Sequence, residues 1–176
     1  MTTQQPTFVL ITEKGEGKVF GYIRKECKDK VKIIKEGKGL TAVTMKGRKQ
    51  EYTEIYIQPN LTKKELERWI EELVEGTGEG DAIIIGDFNA HHPQWVNKQA
   101  NARGNAIHIW AAREGLTLKS KYGVPIRRQI VQGQVEESTL DLAWERGEGW
   151  EMEGLTWQGS DHAIIVVRKK LKNETN

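Results

Sequence analysis

A short apolar run that ends in polar residues places the strongest constraint on the fold of this chain. Residues 82–85 read Ala-Ile-Ile-Ile, a run whose length and β-branched character predict a strand covered on both faces. Because ligand sites in α/β proteins gather where strands end, Asp87 and Asn89 are candidate site residues. Strand alternation predicts that Phe88, between them, packs inward. A loop that caps itself through Asp and Asn side chains is the alternative interpretation of these residues.

Size and composition limit the remaining classes of protein. The chain has 176 residues, 37% hydrophobic and 30% charged, which predicts one globular domain over 1–176, with 169–176 as a frayed tail. No apolar stretch reaches the length of a membrane span, and the polar start does not resemble a signal peptide. The single Cys27 excludes an internal disulfide and disfavours a structural zinc site. We therefore expect an intracellular protein, nuclear or cytoplasmic, with no membrane partner.

Positive charge is concentrated in two segments. Residues 1–50 carry twelve Lys or Arg against five acids, and no acid lies between Gly115 and Val135. The second segment holds four cations: Lys119, Lys121, Arg127 and Arg128. Clusters of this kind commonly meet polyphosphate, so these four are candidate nucleic-acid contacts. On charge alone, a solvated face with scattered cations is an equal alternative.

Hydrophobic periodicity predicts a chain that mixes strands with two helices. Thr62 and Glu65 form a capping box, and the apolar spacing behind it predicts a helix that ends at Gly76. A second helix is predicted over 105–113. Strands are predicted at 8–11, 19–23, 31–34, 40–45, 52–57, 116–118, 139–144 and 163–167. Such a mixture is typical of an α/β sandwich.

Two acids, Asp141 and Asp161, are further candidate site residues beside Asp87 and Asn89. Asp141 lies inside the apolar segment 139–144, and Asp161 and His162 directly precede the segment 163–167. An acid in a buried strand is costly unless it is paired, and His162 is a chemically suitable partner whose tautomer and basicity the pairing would set. A carboxylate, an amide and a carboxylate-supported His at neighbouring strand ends predict a hydrolytic site for a phosphate ester.

The segments that carry these residues occur in the order of a known family. YIQPN, GDFNAHHPQW, RGNAIHIWAAREGL, STLDLAW and GSDHAII resemble segments of the endonuclease/exonuclease/phosphatase superfamily. They are most similar to the endonuclease domain of non-LTR retrotransposon reverse transcriptases. The resemblance is strong over residues 50–168 and loose before them. It implies a four-layer α/β/β/α sandwich of two packed mixed sheets with helices outside.

The resemblance also implies a role for each matching residue. Asp87 would orient or activate the attacking water, and Asn89 would hold that water and the phosphate. His162 would contact the scissile phosphate, and Asp141 would orient His162. Tyr56 would place its phenol at the phosphate. These roles agree with the needs of in-line attack on a phosphodiester, which requires a positioned nucleophile and neutralised phosphoryl oxygens.

The metal site that the resemblance implies is the least complete part of the pattern. Mg²⁺ or Mn²⁺ would be held through Asp161 and through a Glu near the amino terminus. Glu13 is the candidate, with a solvated turn acid as the alternative. Since residues 8–25 resemble better the segment that follows this Glu, the sequence predicts an amino-terminally truncated sandwich with weak metal binding. Missing strands would expose a sheet edge, which predicts a homodimer.

His91 and Trp95 match an HHPxW stretch that often follows in retrotransposon members. We interpret both as loop-shaping residues first and nucleic-acid contacts second. The predicted function is that of a metal-dependent phosphodiesterase, a DNA endonuclease of retrotransposon origin that uses activated water, with RNA as another candidate partner. The first alternative is a domesticated pseudo-nuclease that binds nucleic acid or protein without cutting. The second is a small-molecule or lipid phosphatase of the same superfamily.

Overall fold

A computed structural model describes residues 8–11, 21–25, 31–37, 40–46, 50–76, 80–95, 97–120, 124–156 and 159–170. The candidate metal ligand Glu13, the candidate nucleic-acid contact Lys121 and residues 171–176 of the predicted tail lie outside these ranges. What the sequence predicts for them stays a prediction. Lys169, the predicted start of the tail, is the last residue of a strand, and its Nζ lies 2.8 Å from Oδ2 of Asp81.

Twelve strands, two α-helices and a 3-10 helix at Pro93–Trp95 occur in the described residues. The strands are β1 (Phe8–Ile11), β2 (Gly21–Arg24), β3 (Val31–Gly37), β4 (Leu40–Lys46), β5 (Gln50–Ile57), β6 (Asp81–Asp87), β7 (Thr117–Leu118), β8 (Arg127–Val131), β9 (Gln134–Ser138), β10 (Asp141–Arg146), β11 (Trp150–Thr156) and β12 (Ile164–Lys169). The helices are α1 (Lys63–Gly76) and α2 (Ala102–Arg113). Six strands form one mixed sheet in the order β3-β4-β5-β6-β10-β7, in which β5 and β6 are parallel.

Both helices begin at a side-chain cap. In α1, Oε2 of Glu65 accepts hydrogen bonds from the backbone N–H and the hydroxyl of Thr62, at 2.9 and 2.6 Å, as the capping box predicts. In α2, Oδ1 of Asn101 accepts from the backbone N–H of Gly104 at 2.7 Å. The predicted start of the second helix at 105 is therefore three residues too late, since Asn101 had not been recognised as its cap.

The large sheet is covered on both faces. On one face, α1 and α2 pack against β5, β6 and β10 in an apolar core built mainly from these buried residues: Ile55, Ile57, Leu66, Trp69, Ile70, Leu73, Ile84, Phe88, Trp95, Ile107, Trp110, Leu142 and Trp144. On the other face, a smaller core joins β6 and β10 to the β11–β12 hairpin: Ile83, Ile85, Ala143 and Trp150, with Met152, Ile165 and Val167 against them. The predicted α/β sandwich of packed sheets is confirmed. Neither described helix is long and apolar enough to cross a membrane.

One hairpin was not predicted from the sequence. Strands β8 and β9 pair antiparallel around Gln132 and Gly133, whose φ values of 50° and 78° belong to a tight hairpin turn. Arg127, at the start of β8, bridges to His162, and the N–H of Ala163 donates to the carbonyl of Ile126 at 2.7 Å. The hairpin is thereby joined to the segment that carries the candidate site residues.

Candidate functional site

Strand register brings three of the predicted site residues side by side. Tyr56 on β5 lies opposite Asp87 on β6, and Asp87 lies opposite Asp141 on β10. Paired residues of neighbouring strands point to the same face of a sheet, here the face that carries Ile83 and Ile85. All three are partly buried. The site therefore lies at one end of the space between the large sheet and the β11–β12 hairpin.

Asp87 and Asn89 form a closed local turn. Oδ1 of Asp87 accepts from the backbone N–H of Asn89 at 2.8 Å, and Oδ2 accepts from its side-chain amide at 2.9 Å. The same amide donates to the carbonyl of Ile57 at 2.9 Å, and Asn89 adopts a left-handed φ of 46°. The self-capping loop is thus present, and it fixes the orientation of both side chains. Burial and the charge of Asp141 raise the pKa of Asp87 above its ordinary value.

The predicted pairing of Asp141 with His162 is seen directly. Nδ1 of His162 lies 2.6 Å from Oδ2 of Asp141, the distance of a strong charge-assisted hydrogen bond. This bond, together with the charges of Asp141, Asp87 and Asp161, raises the pKa of His162 although burial opposes it. Because Nδ1 faces Asp141, Nε2 is the nitrogen left for other contacts, and it lies 3.9 Å from Oδ2 of Asp161.

Asp161 is held by an arginine. Nε of Arg127 donates to Oδ2 of Asp161 at 3.2 Å, and half of the Asp161 side chain is exposed to solvent. Burial alone would raise the pKa of Asp161, but the hydrogen bond from Arg127 and the charges of His162 and Arg127 lower it overall. Asp161 is therefore an ionised carboxylate that already has a cationic partner.

The implied metal site is not completed by the described residues. Among them, no group of three or more His, Cys, Asp or Glu side chains is arranged to hold a metal ion. Both carboxylate oxygens of Asp87 accept hydrogen bonds from Asn89, and Oδ2 of Asp161 accepts from Arg127. A hard divalent cation needs several free oxygen ligands in defined geometry. The described part of the chain does not fit one without rearrangement.

The predicted basic cluster is largely neutralised by ion pairs. Nζ of Lys119 lies 3.0 Å from Oε2 of the buried Glu145, Arg127 contacts Asp161, and Nε of Arg128 lies 2.7 Å from Oε1 of Glu137. The prediction of a free cationic surface is corrected for these three residues, since each cation faces an acid that lies outside the acid-free segment between Gly115 and Val135. Their assignment as nucleic-acid contacts remains a prediction.

Trp95 is a core residue. Only 1% of its surface is exposed, its Nε1 donates to the carbonyl of Ala90 at 3.0 Å, and its ring meets Trp144 edge-on at 5.8 Å between centroids. The prediction that Trp95 contacts nucleic acid is wrong because the ring is buried beneath the loop that contains it. His91 is exposed, and its backbone carbonyl accepts from the N–H of Asn101 at 3.0 Å.

Arg103 was missed by sequence reasoning. It is buried in the first turn of α2, where its terminal nitrogens donate to the carbonyls of Pro59 and Phe88 at 2.5 and 3.3 Å. Burial lowers the pKa of Arg103, against the opposing charges of Asp87 and Tyr56. Arg103 thus ties together the loops that follow β5 and β6. Its sequence signal was only a basic residue two positions after a cap, which is also common on solvated helix ends.

Comparison with known protein families identifies the family of this chain. Residues 51–166, which include every described catalytic candidate, match the family described as endonuclease-reverse transcriptase. The chain belongs to this family. The resemblance that the sequence motifs predicted is confirmed, and the fold is that of a group of hydrolytic nucleases and phosphatases.

Several solved structures share the fold at low sequence identity. The endonuclease domain of TRAS1, a telomere-specific non-LTR retrotransposon, is 20% identical with a TM-score of 0.66, and the match covers 95% of this chain and 81% of that one. A mannosyl-6-phosphatase from Bacteroides thetaiotaomicron matches with a TM-score of 0.54, 14% identity and coverage of 94% and 77%. D. rerio TDP2 in complex with a single-strand DNA product matches with a TM-score of 0.53 and 12% identity. This match covers 90% of this chain and 75% of that one. A comparison with curated protein sequences gave no significant match.

Proposed function

We propose that this protein is a metal-dependent phosphodiesterase of retrotransposon origin that cuts DNA by activated water. The observation that carries the proposal is the pairing of Asp141 with His162 beside the Asp87–Asn89 turn. A carboxylate-supported imidazole, a second carboxylate with a raised pKa and a fixed amide stand together at one end of the sheet. That set suits hydrolysis of a phosphodiester better than a passive binding surface.

In the proposed reaction, water attacks phosphorus in line with the bond to the leaving oxygen. Asp87 accepts a hydrogen bond from this water and takes its proton as the new P–O bond forms. Asn89, held by Asp87 and Ile57, orients the water and a phosphoryl oxygen. The bond from phosphorus to the leaving oxygen breaks, and that oxygen takes a proton from solvent.

His162 supplies positive charge in this reaction. Its raised pKa keeps the imidazole protonated further into the neutral range, so that Nε2–H donates to a phosphoryl oxygen while Asp141 holds Nδ1–H. Tyr56 places its phenol on the same face of the sheet, at the register of Asp87. Each of these assignments is a prediction that substitution tests.

The divalent cation, Mg²⁺ or Mn²⁺, would supply further charge neutralisation at the phosphoryl oxygens when bound. Asp161 is the described residue that would contact it, and Glu13 is the candidate for a second ligand. Because Arg127 occupies Asp161 and the described ligand set is incomplete, we expect weak binding of the cation.

DNA is the proposed substrate, and RNA is the alternative polynucleotide. The proposal is supported by the match to a retrotransposon endonuclease domain and to a protein solved with a single-strand DNA product. The ligand set for a metal ion is incomplete among the described residues, and this favours one competing function, a pseudo-nuclease that binds nucleic acid or protein without cutting. A single domain over 1–176, a nuclear or cytoplasmic location and a homodimer complete the proposal.

A plasmid-nicking assay with Mg²⁺ or Mn²⁺ tests the function. Asp87→Ala and His162→Ala should each lower nicking by roughly 10²-fold or more, the usual contribution of an acid–base group. Arg113→Ala is the matched control, because Arg113 pairs with Glu71 and Glu114 in the helical layer. EDTA should stop nicking by the unaltered protein. A folded protein that never nicks, or nicking that survives both substitutions, would favour the pseudo-nuclease.

A further inference from the structure

Three carboxylates, Asp87, Asp141 and Asp161, lie at the candidate site with three cationic groups, His162, Arg127 and Arg103. The terminal nitrogens of Arg103 are bound to the backbone carbonyls of Pro59 and Phe88. A phosphodiester brings another negative charge, which such a site repels unless cations neutralise it. His162 is committed through Nδ1 to Asp141. Arg127 is therefore the partly exposed permanent cation of the site, since a guanidinium stays protonated at any relevant pH and the other one, Arg103, is buried.

Arg127 is held in place by the backbone around it. It follows the fully buried Ile126, whose carbonyl accepts from the N–H of Ala163, and it bridges to His162 as an isolated β-bridge. The N–H of Arg128 donates to the carbonyl of Asp161 at 2.8 Å. The hairpin root and the Asp161–His162 segment therefore form one unit, which fixes the backbone of Arg127 beside the site.

The guanidinium uses only part of its hydrogen-bonding capacity on Asp161. Its Nε–H donates to Oδ2, and within the described residues no hydrogen bond is seen from its two terminal nitrogens. An arginine has five N–H donors in a rigid fork that matches phosphate geometry. With 27% of the side chain exposed, the fork is partly accessible to a ligand.

Arg127 also binds one of the two carboxylate oxygens through which Asp161 could contact the implied metal ion. Oδ2 of Asp161 accepts the Arg127 hydrogen bond at 3.2 Å and lies 3.9 Å from Nε2 of His162. A cation on this oxygen and the guanidinium would repel each other at close range. Arg127 and a divalent cation are thus competitors for one carboxylate oxygen.

We propose that Arg127 is the resident cation of this site: it holds Asp161 while no divalent ion is bound, competes with that ion for the carboxylate, and binds the scissile phosphate through its terminal nitrogens. The inference rests on the proposed function, because it assumes a phosphodiester substrate. It predicts opposite effects of one substitution on two binding affinities. Removal of Arg127 should strengthen binding of a divalent cation at Asp161 and weaken binding of a polynucleotide.

The first measurement is Mn²⁺ affinity by electron paramagnetic resonance, without DNA. Arg127→Ala should bind Mn²⁺ several-fold more tightly than the unaltered protein, because a competing cation is gone. The double variant Arg127→Ala with Asp161→Asn should lose that gain, which assigns it to Asp161. Arg113→Ala removes the same charge from the helical layer and should leave Mn²⁺ affinity unchanged.

The second measurement is binding of a short DNA duplex in EDTA over a range of salt concentrations. A plot of log affinity against log salt concentration falls with increasing salt. Because one phosphate contact is lost in Arg127→Ala, this slope should become shallower by about 0.9. The slope of Arg113→Ala should match that of the unaltered protein. Circular dichroism and a thermal melt establish that each variant is folded.

Either readout overturns the proposal if Arg127→Ala behaves like Arg113→Ala. Neither readout requires turnover, so a protein that fails to nick plasmid still tests Arg127. Conversely, nicking by the unaltered protein together with unchanged Mn²⁺ and duplex binding in Arg127→Ala would reject this inference and leave the proposed hydrolysis standing.

Discussion

The two faces of the large sheet differ sharply at the end where β6 finishes and β10 begins. On the helix side, Phe88 and Leu142 are fully buried in the larger apolar core. On the other side, Ile85 is the last apolar side chain of β6. The next side chain of β6 on this face is Asp87, which pairs with Asp141 of β10. One step along a strand therefore separates a core aromatic from a site carboxylate. The same strands carry stability on one face and candidate chemistry on the other.

The largest effect that tests this division is expected from Phe88→Ala. The Phe88 ring is fully buried, tilted against Trp110 at 6.5 Å between centroids, and its loss would leave a cavity in the helix-side core. We expect the free energy of unfolding to fall by about 3–5 kcal/mol. Urea unfolding monitored by circular dichroism measures the change.

Asp87→Asn is the matched variant on the other face. Burial disfavours the charged form of Asp87, but the amide nitrogen of the new side chain cannot accept a hydrogen bond from Asn89 as the replaced oxygen does. The free energy of unfolding should therefore fall by about 1–3 kcal/mol, less than for Phe88→Ala. Nicking should nevertheless be lost in this variant. If Asp87→Asn lost as much stability as Phe88→Ala, the stability of the fold would not depend mainly on the helix-side face of the sheet. The comparison between the two faces would then be wrong.

Asp141→Asn should produce the next effect, a change in pH dependence. The raised pKa of His162 in the folded protein stabilises the fold fully below about pH 6.5, and this contribution is lost as pH rises through the raised value. Without the Asp141 charge, the pKa of His162 should fall and the associated loss of stability should move to lower pH. Nuclear magnetic resonance titration of the His162 ring measures the pKa directly.

Asp81→Asn is the control for that titration. Asp81 pairs with Lys169, so the substitution removes one carboxylate charge without touching His162. Its His162 titration should follow that of the unaltered protein. If Asp141→Asn also left the His162 titration unchanged, the 2.6 Å contact would not be what sets the basicity of this imidazole.

Features fixed by short-range chemistry could be predicted from the sequence. The inward position of Phe88 follows from strand alternation, and α1 follows from its capping box. The partner of Asp141 could be inferred because an acid in a buried strand needs one, and His162 was the chemically suitable candidate. The first two predictions needed only local sequence, and the third needed only the chemistry of two side chains that lie on separate segments.

Features set by long-range packing could not be predicted. The β8–β9 hairpin is largely exposed, so its residues give no clear apolar alternation. The ion pair of Arg127 with Asp161 depends on where that hairpin attaches, which no local pattern encodes. The second role given to Trp95, a nucleic-acid contact, is excluded by its burial against Trp144, a partner that lies far along the chain.

The smallest effect is expected at the cap of α2. Oδ1 of Asn101 accepts from the N–H of Gly104 at 2.7 Å and from the N–H of His91 at 3.3 Å. Asn101→Ala should lower the free energy of unfolding by about 1 kcal/mol, the usual value of an N-cap. Urea unfolding measures this loss, and the apolar core on the same side of the sheet should remain intact.

Asn101→Asp separates the cap from the loop contacts. A carboxylate also accepts from the first turn of a helix and suits its positive end, so this variant should keep most of the stability that Asn101→Ala loses. Equal losses in the two variants would mean that Asn101 acts through its fit against the His91 loop rather than as a cap. Because α2 carries Arg103, which holds the loops behind β5 and β6, a measurable fall in nicking by Asn101→Ala would show that the helix side also positions the site.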